Sequence, residues 1–327
     1  DLAPTALALA GVNVPKGMDG IPIMGKIVQK SKIKNKNAAF GHADRFDEKY
    51  DFVRTLRVGK YKYIRNYQPF YMDALFNFYR YKMLAYKEWS SLHREGKLND
   101  IQSQFFKPKS PEALYNIEDD PHEINDLSNS KNHQKILLLM RKQLQERIKE
   151  MPDLSFYPEP YLLDNAIKNP TLFGQHNKTA IAELITIADL NLAPYNYVEE
   201  KIKLALKDKN PWKRYWGLIV CSSFGMQAKG LVPLIQQILQ TDEVNLVRIR
   251  AVEYLMLNKI SFDQKKLKIL LENSSSETEA NLILNTISLI KEYQPAIKFN
   301  FSKDIFPSEW HDEPNDLVSR RLEYLMN

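Results

Sequence analysis

The chain has 327 residues, 44% of them hydrophobic and 26% charged, with a net charge of +6. That length suggests two domains and that composition an ordinary packed core. It contains one cysteine, Cys221, which excludes an intramolecular disulfide and a cysteine-based metal site. No uninterrupted apolar run approaches the roughly 20 residues needed to cross a bilayer, so no membrane span is expected.

In chain order, DLAPTALALAGV reads as a short helix: Asp1 can cap it, Pro4 is tolerated in the first turn, and Gly11 ends it. NVPKGMDGIPIMG is turn-rich and predicts an irregular loop. The lysine-rich KIVQKSKIKNKNAAF suits a strand or an exposed connection. From Lys26 to Arg65 there are twelve Lys/Arg against four Asp/Glu, so an anionic partner is expected of this segment. Within it, GHADRFDEKYDFVRTLR holds the candidate binding residues His42, Asp44, Arg45 and Arg54, because arginine offers planar paired donors that match sulfate, phosphate or carboxylate oxygens. A structural salt-bridge network is the competing reading of the same residues.

YDFVRTLRVGKYKYIRNY predicts a β-hairpin, with two β-rich runs flanking Gly59 and Lys60. Eleven of the 29 residues from Tyr61 to Trp89 are aromatic, and this stretch reads as a partly helical insertion that packs on its own domain. ALYNIEDDPHEINDLS then places five carboxylates between Glu118 and Asp126. It is either a metal or acid/base cluster, or a turn whose acids serve the backbone. SKNHQKILLLMRKQLQERIKEM repeats apolar residues at helical spacing, with Ser130 as its cap, and should lie on the sheet.

Beyond residue 158 the pattern is helix after helix. KNPWKRYWGLIVCSSFG, EVNLVRIRAVEYLMLNKI and SSETEANLILNTISLI recur at about 34 residues, a period typical of stacked helix pairs. Trp216–Gly217, Arg250–Ala251 and Leu284–Asn285 fall in register, and the repeats resemble degenerate HEAT units. The tail that contains His311 reads as a C-terminal cap. The six histidines show no metal-binding spacing, and no phosphate-binding loop or nucleophile elbow occurs. Apolar neighbours mark Cys221 as a core residue.

The succession DLAPTALALAGVNVPKGMDGIPI, DFVRTLRVGKYKYIRNY, ALYNIEDDPHEINDLS and amphipathic helix resembles the C-terminal part of the type I, formylglycine-dependent sulfatases of the alkaline phosphatase superfamily. The insertion is most similar to heparan N-sulfatase (sulfamidase) relatives and bacterial glycan sulfatases. The resemblance implies an α+β sulfatase subdomain, a small antiparallel sheet plus helix, over 1–158. An all-α HEAT-like domain over 159–300 and a cap over 301–327 would follow. It makes the acidic segment a turn, in which Asp120–Pro121 reverses the chain while Glu123 and Asn125 satisfy backbone donors.

Members of this family convert Cys or Ser of a C/S-x-P-x-R motif to formylglycine and bind calcium. Neither motif nor ligands occur here, so no catalytic or metal residue carries over, and the chain alone is expected to be inactive. The expected whole is a sulfatase that hydrolyses sulfate esters or sulfamates of sulfated saccharides, its formylglycine and calcium residing in a missing N-terminal half. His42, Asp44 and Arg45 fall where substrate contacts arise. The family implies a periplasmic or secreted location, and the helical domain is a possible protein-binding surface. The alternatives are a non-catalytic HEAT-repeat interaction or glycan-binding protein, and a phosphohydrolase of the same superfamily. Charge is the only feature that points to nucleic acid.

Overall fold

The computed structural model describes residues 1–18, 20–25, 28, 37–299, 301–312 and 316–326. The lysine run from Lys26 to Lys36, read above as strand or connection, lies outside the described residues apart from Val28. Helix α1 (Leu2–Leu9) has Pro4 in its first turn, and Gly11 follows it at φ +74°. Asp1 accepts the Ile21 N–H at 2.9 Å through its carboxylate, and Thr5 Oγ1 accepts the Ile23 N–H at 3.0 Å. These bonds clip α1 to the turn-rich segment behind it.

Four strands follow in one antiparallel meander: β1 (Ala38–Phe46), β2 (Lys49–Val58), β3 (Tyr61–Asn66) and β4 (Glu112–Asn116). Gly59, at φ +56°, supplies the left-handed residue of the tight β2–β3 turn. Alternation does the rest: Phe52, Arg54 and Leu56 share one buried face of β2. Leu56 pairs with Tyr63 and Tyr63 with Leu114, forming an apolar row across three strands. Short helices α2 (Phe78–Tyr81), α3 (Leu84–Arg94) and α4 (Asp100–Ser103) fill the aromatic insertion between β3 and β4. Trp89 stacks on Phe105 at 4.5 Å and lies edge-on to Phe106 at 5.5 Å, so the insertion packs on itself as its composition predicts.

Helix α5 (Gln134–Glu150) lies on the sheet through Leu137, Met140, Leu144 and Ile148. A 3-10 turn, Lys131–His133, precedes it. Helices α6 (Glu159–Asn165), α7 (Pro170–His176), α8 (Lys178–Ala188), α9 (Tyr195–Leu206), α10 (Pro211–Phe224) and α11 (Val232–Thr241) come next. They are followed by α12 (Asn245–Leu257), α13 (Lys265–Glu272), α14 (Glu277–Tyr293) and α15 (Leu317–Met326). Helices α8, α10, α12 and α14 stack in succession, with α9, α11, α13 and α15 alongside. The three residue pairs that recur in the sequence sit in α10, α12 and α14.

Pro211–Thr241 is long and apolar enough, by composition, to span a membrane, contrary to the expectation from uninterrupted apolar runs. In the fold it breaks at Gly225, φ +57°, into α10 and α11 joined by a 3-10 segment. Most of α10 is buried in the protein core, Cys221 included.

Helices and sheet share one core. Phe52, Tyr67, Phe156 and Trp216 form a ring cluster with centroids 4.8–6.0 Å apart, and Trp216 donates its indole N–H to the Phe156 carbonyl at 2.8 Å. Polar groups bridge the same seam. Arg65 Nε reaches Asp189 at 3.1 Å, and its Nη2 reaches the Ala188 carbonyl and Asn191 at 2.9 and 2.6 Å. Arg250 binds Glu253 at 2.6 Å and the Tyr71 hydroxyl at 3.2 Å. Arg321 binds the Glu48 carbonyl at 2.8 Å and Asn285 at 2.6 Å. These bonds offset much of the cost of burying the cations, although Nε of Arg250 and of Arg321 is left without a partner.

Candidate functional site: the bulged strand and its two hollows

The acidic segment resolves into backbone service. Asp120 accepts the Asn125 N–H at 2.7 Å, and that bond holds its carboxyl below the usual range. Asp126 accepts the N–H groups of Leu114 and Ser128 at 3.0 and 2.9 Å, which ties the turn to β4. Glu123 differs from the expectation. Its backbone takes φ +56°, and its carboxylate pairs with Lys62 across the sheet at 2.5 Å instead of serving a local N–H. Asn125 is a donor in this turn, through its backbone.

The candidate binding residues lie on β1 and β2. Pairing of these strands slips between Ala43 and Arg45, a bulge in which Asp51 and Phe52 of β2 lie opposite the single residue Asp44 of β1. His42 sits opposite Arg54 in register. On one side of the bulge is an open groove of about 330 Å³ bordered by Phe40, His42, Asp44, Arg54, Arg147 and Met151. On the other is a cavity of about 240 Å³ bordered by Arg45, Tyr50, Glu159, Tyr215, Trp216 and Arg250. Asp44 borders both.

The four residues come together but do different work. Arg54 is 5% exposed. Its Nε and Nη2 grip Asp153 at 2.6 and 3.0 Å, Nη2 also reaches Asp44 at 2.8 Å, and Nη1 reaches the Val53 carbonyl at 2.9 Å. Its plane lies 4.3 Å from the Phe52 ring centroid. Burial works against its charge, yet Asp153 and Asp44 outweigh burial and raise its pKa. With its donors engaged, Arg54 fixes the bulge through Asp44. Arg45 is exposed, pairs with Glu159 at 2.9 Å, and gives a second donor to the Asp47 carbonyl at 2.8 Å. Glu159 also accepts the Tyr50 hydroxyl at 2.6 Å, and burial together with that carboxylate pushes the phenol pKa up. His42 is exposed on the groove.

The sequence reading missed Arg147. It projects from α5 with its guanidinium 5.2 Å from the Phe40 ring and carries no ion pair among the described residues. Nothing in RKQLQERIKE distinguishes it from the other cations of that helix. His42, Arg147 and Arg45 thus offer donors to an anion or a hydroxylated ring. Burial raises the pKa of the only thiol, Cys221, which suits a core residue and not a nucleophile. Among the described residues no three His, Cys, Asp or Glu side chains form a group able to hold a metal. The calcium implied by the resemblance therefore finds no ligand set among them.

No family model matches the chain. Half of it is nonetheless similar to a sulfatase. The relative is an ulvan-active sulfatase of Formosa agariphila, 35% identical over 167 residues that make up 50% of this chain. The alignment covers 27% of that relative, so the chain spans about a quarter of its length.

Proposed function

We propose that this chain is the C-terminal portion of a sulfatase that acts on sulfated saccharides. The observation that carries the proposal is the 35% identity to a sulfatase over half the chain, together with three sulfatase-like motifs in their family order. In this reading the formylglycine and calcium reside in a catalytic half outside this chain. The β1–β2 bulge closes one side of the pocket: His42 and Arg147 contact the sugar around the sulfate, Arg45 contacts a neighbouring ring from the adjoining cavity, and Asp44 and Arg54 hold the bulge in place. The whole protein works in the periplasm or outside the cell. Helices α6 to α14 form a HEAT-like stack, appended as a separate functional unit over residues 159–300, with α15 in a C-terminal cap over 301–327. A sulfated polysaccharide, in the manner of the relative named for ulvan, is the substrate class we assign.

Sulfate release tests this. The protein that carries this chain in its source organism should free sulfate from a sulfated polysaccharide, measured by ion chromatography. Residues 1–327 alone should free none. Phosphate release from phosphoesters without sulfate release would move the protein to the phosphohydrolases of the same superfamily. Absence of both, with retained glycan binding, would favour a binding module.

A further inference from the structure

A third hollow lies past the end of β1, where Asn77, flanked by its lining residues Phe76 and Phe78, donates to the Phe46 carbonyl at 3.1 Å. It is a cleft of about 830 Å³ between the aromatic insertion and the end of the helical stack, with Lys87, Ser90 and Arg94 on one wall and Lys291, Glu292 and Tyr324 on the other. Its size falls within the range of about 300–1,000 Å³ typical of ligand sites. Lys87, Ser90 and Arg94 are three and four residues apart on α3, so one helix face lines the cleft.

The charges are arranged unevenly. Lys82, Lys87 and Arg94 face Glu292 across the hollow, which Lys291 and Glu323 also border, four cations against two carboxylates. Lys291 is held by the carbonyls of Tyr324 and Leu325 at 2.8 and 3.3 Å at the end of α15. Lys82, Lys87 and Arg94 are exposed and carry no ion pair among the described residues, so three like charges crowd one side. Glu292 accepts the Tyr324 hydroxyl, a neutral partner that leaves its own charge uncompensated. An occupant should therefore present anions to α3 and hydroxyl donors to the opposite wall.

The aromatic groups narrow the choice. Phe76 is sandwiched between Tyr81 at 5.5 Å and Tyr324 at 4.1 Å, with interplanar angles of 13° and 8°. His93 stacks on Phe106 at 4.2 Å. Both faces of Phe76 are covered in this way, so it provides no platform for unstacked bases, on which single-stranded nucleic-acid binding depends. We infer that the cleft is a non-catalytic binding site for a sulfated saccharide of a few rings, sulfates on the Lys82–Lys87–Arg94 wall and hydroxyls on the wall that carries Glu292. The choice of saccharide rests on the sulfatase reading, whereas the site itself stands on the cleft.

Isothermal titration of the protein with sulfated tetrasaccharides of ulvan and of heparin, their desulfated forms and a thymidine tetranucleotide tests the inference. A sulfated tetrasaccharide should bind and its desulfated form should lose most of the affinity. Lys87→Ala with Arg94→Ala should weaken binding by about tenfold per cation, and K87E with R94E should abolish it while circular dichroism stays native. Lys142→Ala with Lys203→Ala, on other exposed surfaces, should leave affinity within about twofold. The inference is overturned if neither sulfated probe binds, if the α3 variants bind as the parent does, or if the oligonucleotide binds equally well. Sulfate release reads the catalytic proposal separately, so either can fail while the other stands.

Discussion

Helix α1 and the seam between sheet and helices treat solvent in opposite ways. In α1 and its C-terminal extension, Leu2, Leu9 and Val12 are 85%, 62% and 50% exposed, whereas at the seam even cations vanish from the surface: Arg65 is 1% exposed, Arg250 2% and Arg321 0%. Apolar side chains in water and charges in the core are each unfavourable alone. The seam meets most of its difficulty within the chain, because each buried guanidinium finds carboxylates, carbonyls or hydroxyls, several from distant segments. A helix apolar on most sides is stable when something covers it. That contrast fits the proposal that a larger catalytic body packs against α1.

The comparison breaks first at the seam. Arg250→Met would strand Glu253, a fully buried carboxylate, and should cost about 3–5 kcal/mol in urea unfolding. A loss under about 1 kcal/mol would mean that the pair is not the buried lock described here.

A smaller effect should follow pH at Lys49, which is 5% exposed and whose burial outweighs Asp51 and Asp73 to lower its pKa from 10.5 to about 8. Below about 8 both folded and unfolded states hold this proton, so nothing changes. Between about 8 and 10.5 the unfolded chain binds a proton that the folded chain has lost, so stability should rise with pH, by at most about 1.4 kcal/mol per unit. Neighbouring Lys109 has a raised pKa, because Asp51 and Asp73 outweigh its burial, and its contribution is lost only at higher pH. Lys49→Met should flatten the rise between 8 and 10.5 while leaving that later loss.

Asp126→Ala removes the acceptor of two backbone N–H groups and should cost about 1–3 kcal/mol, sharpening the view that the acidic turn is structural. The smallest effect belongs to α1. Leu2→Gln with Leu9→Gln should shift the unfolding of this chain by less than about 0.5 kcal/mol, yet it should weaken folding of the longer protein proposed above. Equal, negligible effects in both would remove the case for a covering surface.

How much of this was legible depended on the range of the interactions. The β2–β3 hairpin and α5 showed in the sequence because periods of 2 and 3.6 are local properties. The acidic turn was legible as a turn, although which carboxylate served which donor was not: Lys62, the partner of Glu123, lies 61 residues upstream. Arg54 stood out as a candidate contact, but its commitment to Asp153 is settled 99 residues away. Strand β1 was hard to read because its residues are mostly exposed on both faces and its pairing is broken at the bulge, which erases alternation. The seam left no local trace. Helix α12 is buried nearly all round, so it shows no polar face from which the roles of Arg250 and Glu253 could be inferred.

The most direct test of the account is the mass of the native product in its source, detected with an antibody raised against this chain. The account predicts a polypeptide well above the 38.2 kDa of residues 1–327, with the catalytic half on the same chain. A native product of 38.2 kDa would contradict it and leave a protein whose grooves bind saccharide without cleaving it.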